Sequence, residues 1–180
     1  MSRHVALLRG VNVGGNKGVP MSALKGLAER LSLGSPRTLL QSGNLVFSST
    51  GEKPEALERV LEQAIQADIG VTTQVCVRTA AVWDKLVQAN PFPESARDDP
   101  AHLQLMAFKT PPKAGGPEAI AEVYQGPKLI ALAHGHAYIV YPEGMGTSKL
   151  TPALLARHLG QGTSRNWNTV LKLQRLLAEG

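Results

Sequence analysis

Arg37-Thr38-Leu39-Leu40-Gln41-Ser42-Gly43-Asn44-Leu45-Val46-Phe47 sets two β-favouring runs around a Ser-Gly-Asn centre. Turn formers flanked by apolar residues on both sides read as a hairpin. A helical pattern lies on each side of it. On the upstream side, Leu24, Leu27, Ala28 and Leu31 recur at helical spacing behind Pro20, and Gly34 is read as the stop. On the downstream side, Pro54 opens a stripe of Leu57, Val60, Leu61, Ala64 and Ile65, and Gly70 ends it. Glu55 and Glu58 fall in the first turn, where carboxylates suit the helix dipole. Further out lie two strands. In Val5-Ala6-Leu7-Leu8 both parities are apolar, which marks a central, buried strand. Thr72 to Arg78 is the other. The order is βαββαβ, a split unit of the ferredoxin-like type.

The pattern then restarts. Thr79 caps a helix carrying Val82, Trp83, Leu86 and Val87, and Asn90-Pro91-Phe92-Pro93 breaks it. Residues 93–101 are polar and proline-flanked, and they read as a linker. His102 to Phe108 is a strand and Glu118 to Tyr124 a short helix. Lys128 to Leu132 and Ala137 to Tyr141 flank His134-Gly135-His136 as a second hairpin, with both histidines read as exposed turn residues. Thr151 and Pro152 open a helix with Leu154, Leu155 and Leu159 on its face. That order is βαββα, the first half without its last strand, and a final helix over Asn166 to Ala178 takes the remaining place. The fold class is α+β. It consists of two ferredoxin-like halves related by duplication, with antiparallel sheets, helices packed on them and an extra C-terminal helix. The halves are 1–92 and 102–180, joined by 93–101.

Composition narrows the function classes. The 180 residues suffice for a sizeable core. The net charge of +5, from 19 basic and 14 acidic residues, favours anionic partners without proving nucleic-acid binding. The single cysteine, Cys76, excludes an internal disulfide framework and reads as a small buried hydrophobe in a strand. No His/Cys cluster has zinc spacing, and no motif implies a cofactor. The first apolar run is short and ends at Arg9, and no run approaches membrane-spanning length. A cytoplasmic protein that does not engage a membrane is the expectation.

Four polar segments stand out. In Arg9-Gly10-Val11-Asn12-Val13-Gly14-Gly15-Asn16-Lys17-Gly18, glycines allow backbone N–H groups to approach a ligand at a helix N-terminus. Arg9, Asn12, Asn16 and Lys17 add side-chain donors. The segment matches neither a phosphate-binding P-loop nor a dinucleotide fingerprint. The competing reading is a tight turn whose glycines only solve backbone geometry. Gln41-Ser42-Gly43-Asn44 is ordinary turn chemistry unless Gln41 and Asn44 face a ligand. In Thr163-Ser164-Arg165-Asn166-Trp167, a Thr or Ser caps the last helix and Arg165 sits in its first turn. An Arg there opposes the dipole, which hints at another task. Gly144-Met145-Gly146-Thr147-Ser148-Lys149-Leu150 is a flexible turn whose Lys149 either serves a site or is solvated. No general acid/base pair and no nucleophile elbow is present.

Taken together, Leu8-Arg9-Gly10-Val11-Asn12-Val13-Gly14-Gly15, Gln41-Ser42-Gly43-Asn44, Asn90-Pro91-Phe92, Ser148-Lys149-Leu150 and Arg165-Asn166-Trp167-Asn168-Thr169-Val170 resemble a bacterial family catalogued as domain of unknown function 1697. The resemblance spans nearly the whole chain, with the motifs in the family's order. It implies a cytoplasmic bacterial protein of two related α+β halves with no agreed activity, and it hands over no catalytic residues. It adds weight to Arg9, Asn12, Gln41, Asn44, Lys149, Arg165 and Asn166, because the matching segments are the polar loops.

The expected function is binding of a small anionic ligand, a nucleotide or phosphorylated metabolite. Arg9, Asn12, Gly14, Gly15, Lys17, Gln41, Ser42, Asn44, Lys149, Arg165 and Asn166 are its candidate residues. The loops around Arg9, Gln41 and Arg165 are expected to converge between or beside the halves. Arg9 and Arg165 would carry charge, and Asn12, Gln41 and Asn44 would orient the ligand. Nucleic-acid backbone binding is the rival, handicapped by the absence of an RNP1 pattern and by 4% aromatic content. A scaffold or homodimer subunit is the third reading. No reaction is named by the sequence.

Overall fold

The computed structural model describes residues 1–15, 18–124 and 130–179. The element order begins β1 (Ser2–Leu8), α1 (Met21–Arg30), β2 (Gly34–Thr38), β3 (Asn44–Ser49), α2 (Pro54–Ile69) and β4 (Val75–Thr79). It continues with α3 (Ala80–Gln88), α4 (Pro93–Asp98), β5 (Leu103–Phe108), α5 (Gly116–Val123), β6 (Ile130–Ala133), β7 (His136–Val140), α6 (Pro152–His158), β8 (Gly162–Asn166) and α7 (Trp167–Ala178). The strands form two antiparallel sheets with the same order, β2-β3-β1-β4 and β6-β7-β5-β8. Equal element order and equal strand order make the two halves copies of one α+β plan. The chain divides into two compact units, Met1–Asp84 with Leu173–Gly180, and Lys85–Lys172. The segment read as a linker carries α4, opened by Pro93 at its first turn.

In each unit a sheet face packs on two helices. Ala6, Leu8, Leu45, Phe47, Val75 and Val77 meet Leu24 and Leu27 of α1 and Leu57, Leu61 and Ile65 of α2. In the second unit Met106, Phe108, Ala137 and Ile139 meet Ile120 of α5 and Leu155 of α6. The central strands are buried on both parities, as Val5, Leu7, Leu103 and Leu105 show at 0–1% exposure. Cys76 is buried, in keeping with its apolar strand.

Several boundaries differ from the sequence reading, each for a local reason. The helix α1 stops before Gly34, because Ser32 takes the left-handed conformation at φ 59° and Leu33 N–H donates back to the Ala28 carbonyl. This closes the helix as a glycine would. Gly34 instead opens β2, where an added Cβ would lie 3.2 Å from Ser48 Cβ. The second half does have its last strand: β8 pairs with β5 from Phe108↔Gly162 to Gln104↔Asn166. Thr163 and Ser164 are therefore strand residues and not helix caps, and Arg165 lies outside the helix. The cap of α7 is Asn166, whose Oδ1 accepts from Thr169 N–H at 3.0 Å. Thr79 does the same for α3 and Thr151 for α6, accepting from Val82 and Leu154 at 3.2 Å. His134 is exposed at φ 50°, but His136 is buried, with Nδ1 2.7 Å from the His134 carbonyl. Part of the predicted Lys128–Leu132 strand lies outside the described residues.

Glu58 is not a dipole residue at the surface of α2. It is buried, and its Oε1 accepts from Val77 N–H at 2.9 Å and lies 3.5 Å from Arg78 Nη1. One helical turn on, Glu62 Oε1 accepts from Val75 N–H at 2.8 Å. Strand β4 is an edge of its sheet, and these carboxylates occupy donors that a further strand would use.

Inside β1, His4 is buried and stacked on Phe47, with ring centroids 5.5 Å apart. Burial holds its imidazole below the ordinary value of 6.5, against a smaller upward pull from the Ser2 backbone. The unfolded chain therefore binds the extra proton first, and stability rises with pH across that window. The contribution of His4 is complete above about pH 6.5 and is lost as the pH falls through the folded value. Urea denaturation from pH 5 to 8 checks this. The slope should shrink in His4→Phe, and an unchanged slope would assign it to another group.

Candidate functional site

Three loops of the first unit meet at one end of its sheet because of strand register. Leu7 at the end of β1 pairs with Asn44 at the start of β3 and with Cys76 near the start of β4. The segments that leave β1, enter β3 and enter β4 are thereby neighbours. Arg9 N–H donates to the Gln74 carbonyl at 2.9 Å, and Thr73 Oγ1 donates to the Arg9 carbonyl at 2.8 Å. Leu8 N–H donates to the Gly43 carbonyl at 2.8 Å. Arg9 is half-buried where this junction forms.

Asn12 ties the junction together. Its Oδ1 accepts from Val19 N–H at 2.8 Å, and its Nδ2 donates to the carbonyls of Val19 and Gln41 at 2.9 and 2.6 Å. The amide thus closes the glycine loop on itself and pins it to the hairpin turn. Asn12 holds φ 56°, a conformation that asparagine tolerates better than most side chains. Asn44 is fully buried and donates to the Leu39 carbonyl at 2.7 Å and to Ser42 Oγ at 2.9 Å. Both amides position the backbone. Gln41 and Ser42 are exposed at the turn. Gly14 and Gly15 are exposed with φ 62° and 74°. Lys17 lies outside the described residues.

The remaining candidates belong to the second unit. Arg165 is buried in β8, and its Nη1 donates to Thr163 Oγ1 and to the Ser164 carbonyl, both at 2.8 Å. Its place in a strand removes the supposed conflict with a helix dipole. Lys149 is exposed on the connection between β7 and α6, where it lines a cavity of about 250 Å³. Sequence reasoning missed Thr73, whose hydroxyl secures Arg9 from 64 residues away. Only strand register could have found it. Among the described residues no group of three or more His, Cys, Asp or Glu side chains could hold a metal ion, and no helix is long and apolar enough to cross a membrane.

The fold and this loop junction define a duplicated α+β protein with a polar sheet end. The chain belongs to the family of proteins of unknown function DUF1697, whose model matches residues 1–138. Among solved structures it is similar to the conserved bacterial protein SP0830 from Streptococcus pneumoniae. That likeness has a TM-score of 0.75 at 20% identity, covers 98% of each chain, and is one of fold. A search of curated proteins finds no match.

Proposed function

We propose that the protein binds a small anionic ligand, a nucleotide or phosphorylated metabolite, on the loop between β1 and α1. The observation that carries this reading is the loop backbone. Gly10, Asn12, Gly14 and Gly15 all have left-handed φ values, between 56° and 74°. Turns of this kind aim successive N–H groups at one point and form anion-holding concavities. The positions where side chains would stand at Gly10, Gly14, Gly15 and Gly18 are open. The loop then enters α1, which has no side-chain cap and no acidic residue in its first turn. Arg9 supplies positive charge at the root of the loop, and the net charge of +5 favours such a partner.

The test is thermal unfolding against nucleotides, sugar phosphates and short oligonucleotides at low and moderate salt. A ligand at 100 times its Kd adds about 2.7 kcal/mol, or about 5–11 °C for a chain of this size. A small-molecule shift that Arg9→Ala abolishes supports the reading. Shifts only with oligonucleotides, fading with salt, replace it with backbone binding of nucleic acid. No shift across the panel removes it.

A further inference from the structure

Two cavities of the second unit, of about 250 and 220 Å³, share Tyr124 and Leu150 as lining residues. The smaller is walled chiefly by apolar groups, among them Pro117, Ile120 and Ile130. The larger carries Tyr141, Lys149 and Glu143. Two tyrosines of this unit, Tyr138 and Tyr141, are buried to 3% exposure or less, and they differ in one respect. Tyr138 donates its hydroxyl to the Leu86 carbonyl at 2.6 Å. The Tyr141 hydroxyl has no hydrogen-bond partner among the described residues, although its ring lines the cavity. The ring is buried, yet its oxygen is not among the buried unpaired atoms, so the hydroxyl is reachable from the cavity and is a donor available to whatever enters it.

We propose that these cavities bind a small carboxylate with an apolar body. The ligand carboxylate accepts the Tyr141 O–H and faces the Lys149 ammonium, and its hydrocarbon part lies along Tyr124, Leu150 and Ile130. Burial pushes the Tyr141 phenol up to about 12, which keeps it a neutral donor throughout the physiological range. Lys149 and Glu143 have no ion-pair partner among the described residues, and both line the same cavity. A carboxylate that also bears an α-ammonium group would match both charges, so an apolar amino acid binds more tightly than its deaminated counterpart.

The experiment is calorimetric titration with leucine and with 4-methylpentanoate, which is the same skeleton without the amine. The wild-type protein should bind both saturably, leucine the tighter. Tyr141→Phe, which keeps the ring and the packing, should weaken both by about tenfold or more, the usual loss for a hydrogen bond to a charged group. Lys149→Ala should weaken both, and Glu143→Gln should remove the preference for leucine. Arg9→Ala should bind like wild type, which separates this site from the glycine loop. Absence of saturable binding to wild type at millimolar ligand would overturn the proposal. Equal affinity of Tyr141→Phe and wild type would overturn it as well.

Discussion

Replacing Glu58 by alanine lowers the stability of the first unit by about 2–4 kcal/mol. The change removes the acceptor of Val77 N–H and the carboxylate beside Arg78, a pair whose side chains are only 6% and 15% exposed. Urea denaturation measures the loss. Glu58→Gln keeps an amide oxygen for Val77 N–H and should cost roughly half as much, because only the charge is lost. Equal losses for the two variants would mean that the ion pair, and not the strand contact, carries the effect. The same substitution opens one position on the outer edge of β4, so Glu58→Ala should also self-associate more readily at high concentration. In the second unit the corresponding helix α6 reads Pro-Ala-Leu-Leu-Ala-Arg-His and offers no carboxylate for such a brace.

The second large effect belongs to Gly43. Its φ is +79°, and an added Cβ would stand 2.6 Å from Val11 Cγ2 and 2.8 Å from Leu8 Cβ. Gly43→Ala is therefore strained in the backbone and overpacked against two buried side chains. About 2–4 kcal/mol is expected from the two together. The clash lies where the hairpin turn meets the glycine loop, so the anion-dependent thermal shift should weaken in the same variant. A loss below about 0.5 kcal/mol would show that the turn can rotate away, and that the contact between the loops is not fixed.

Much of the plan was legible because it is written locally. Pro54, Gly70, Thr79 and the Thr151-Pro152 pair each mark a helix end through their own backbone or hydroxyl chemistry, and each stands where the sequence put it. The missed strand shows the opposite case. Gly162-Thr163-Ser164-Arg165-Asn166 has no apolar alternation, and it is a strand because β5 offers it a partner. Ser32 ended a helix in a conformation that a sequence reader reserves for glycine. At the candidate site, the residue types of Asn12 and Asn44 pointed to polar recognition. Their bonds run to Val19, Gln41 and Leu39, and those partners follow from the folded path of the chain. The role of Tyr141 was hidden for a related reason, since an unanswered hydroxyl can be identified only once its neighbours are known.

The composition of the first unit bears on how the protein is made. Residues 173–179 belong with residues 1–84, and Arg3 Nη2 donates to the Leu176 carbonyl at 2.8 Å across 173 positions. Arg37 pairs in the same way with Glu179 at 2.8 Å. On the ribosome, the N-terminal segment emerges first, yet it waits for more than 85 further residues, those of the second unit, before its partners at 173–179 arrive. Its four strands are complete by Thr79, and they must persist through that interval without the end of α7, with the second unit synthesised in between. Termination near residue 172 would release a chain whose second unit is complete and whose first is not.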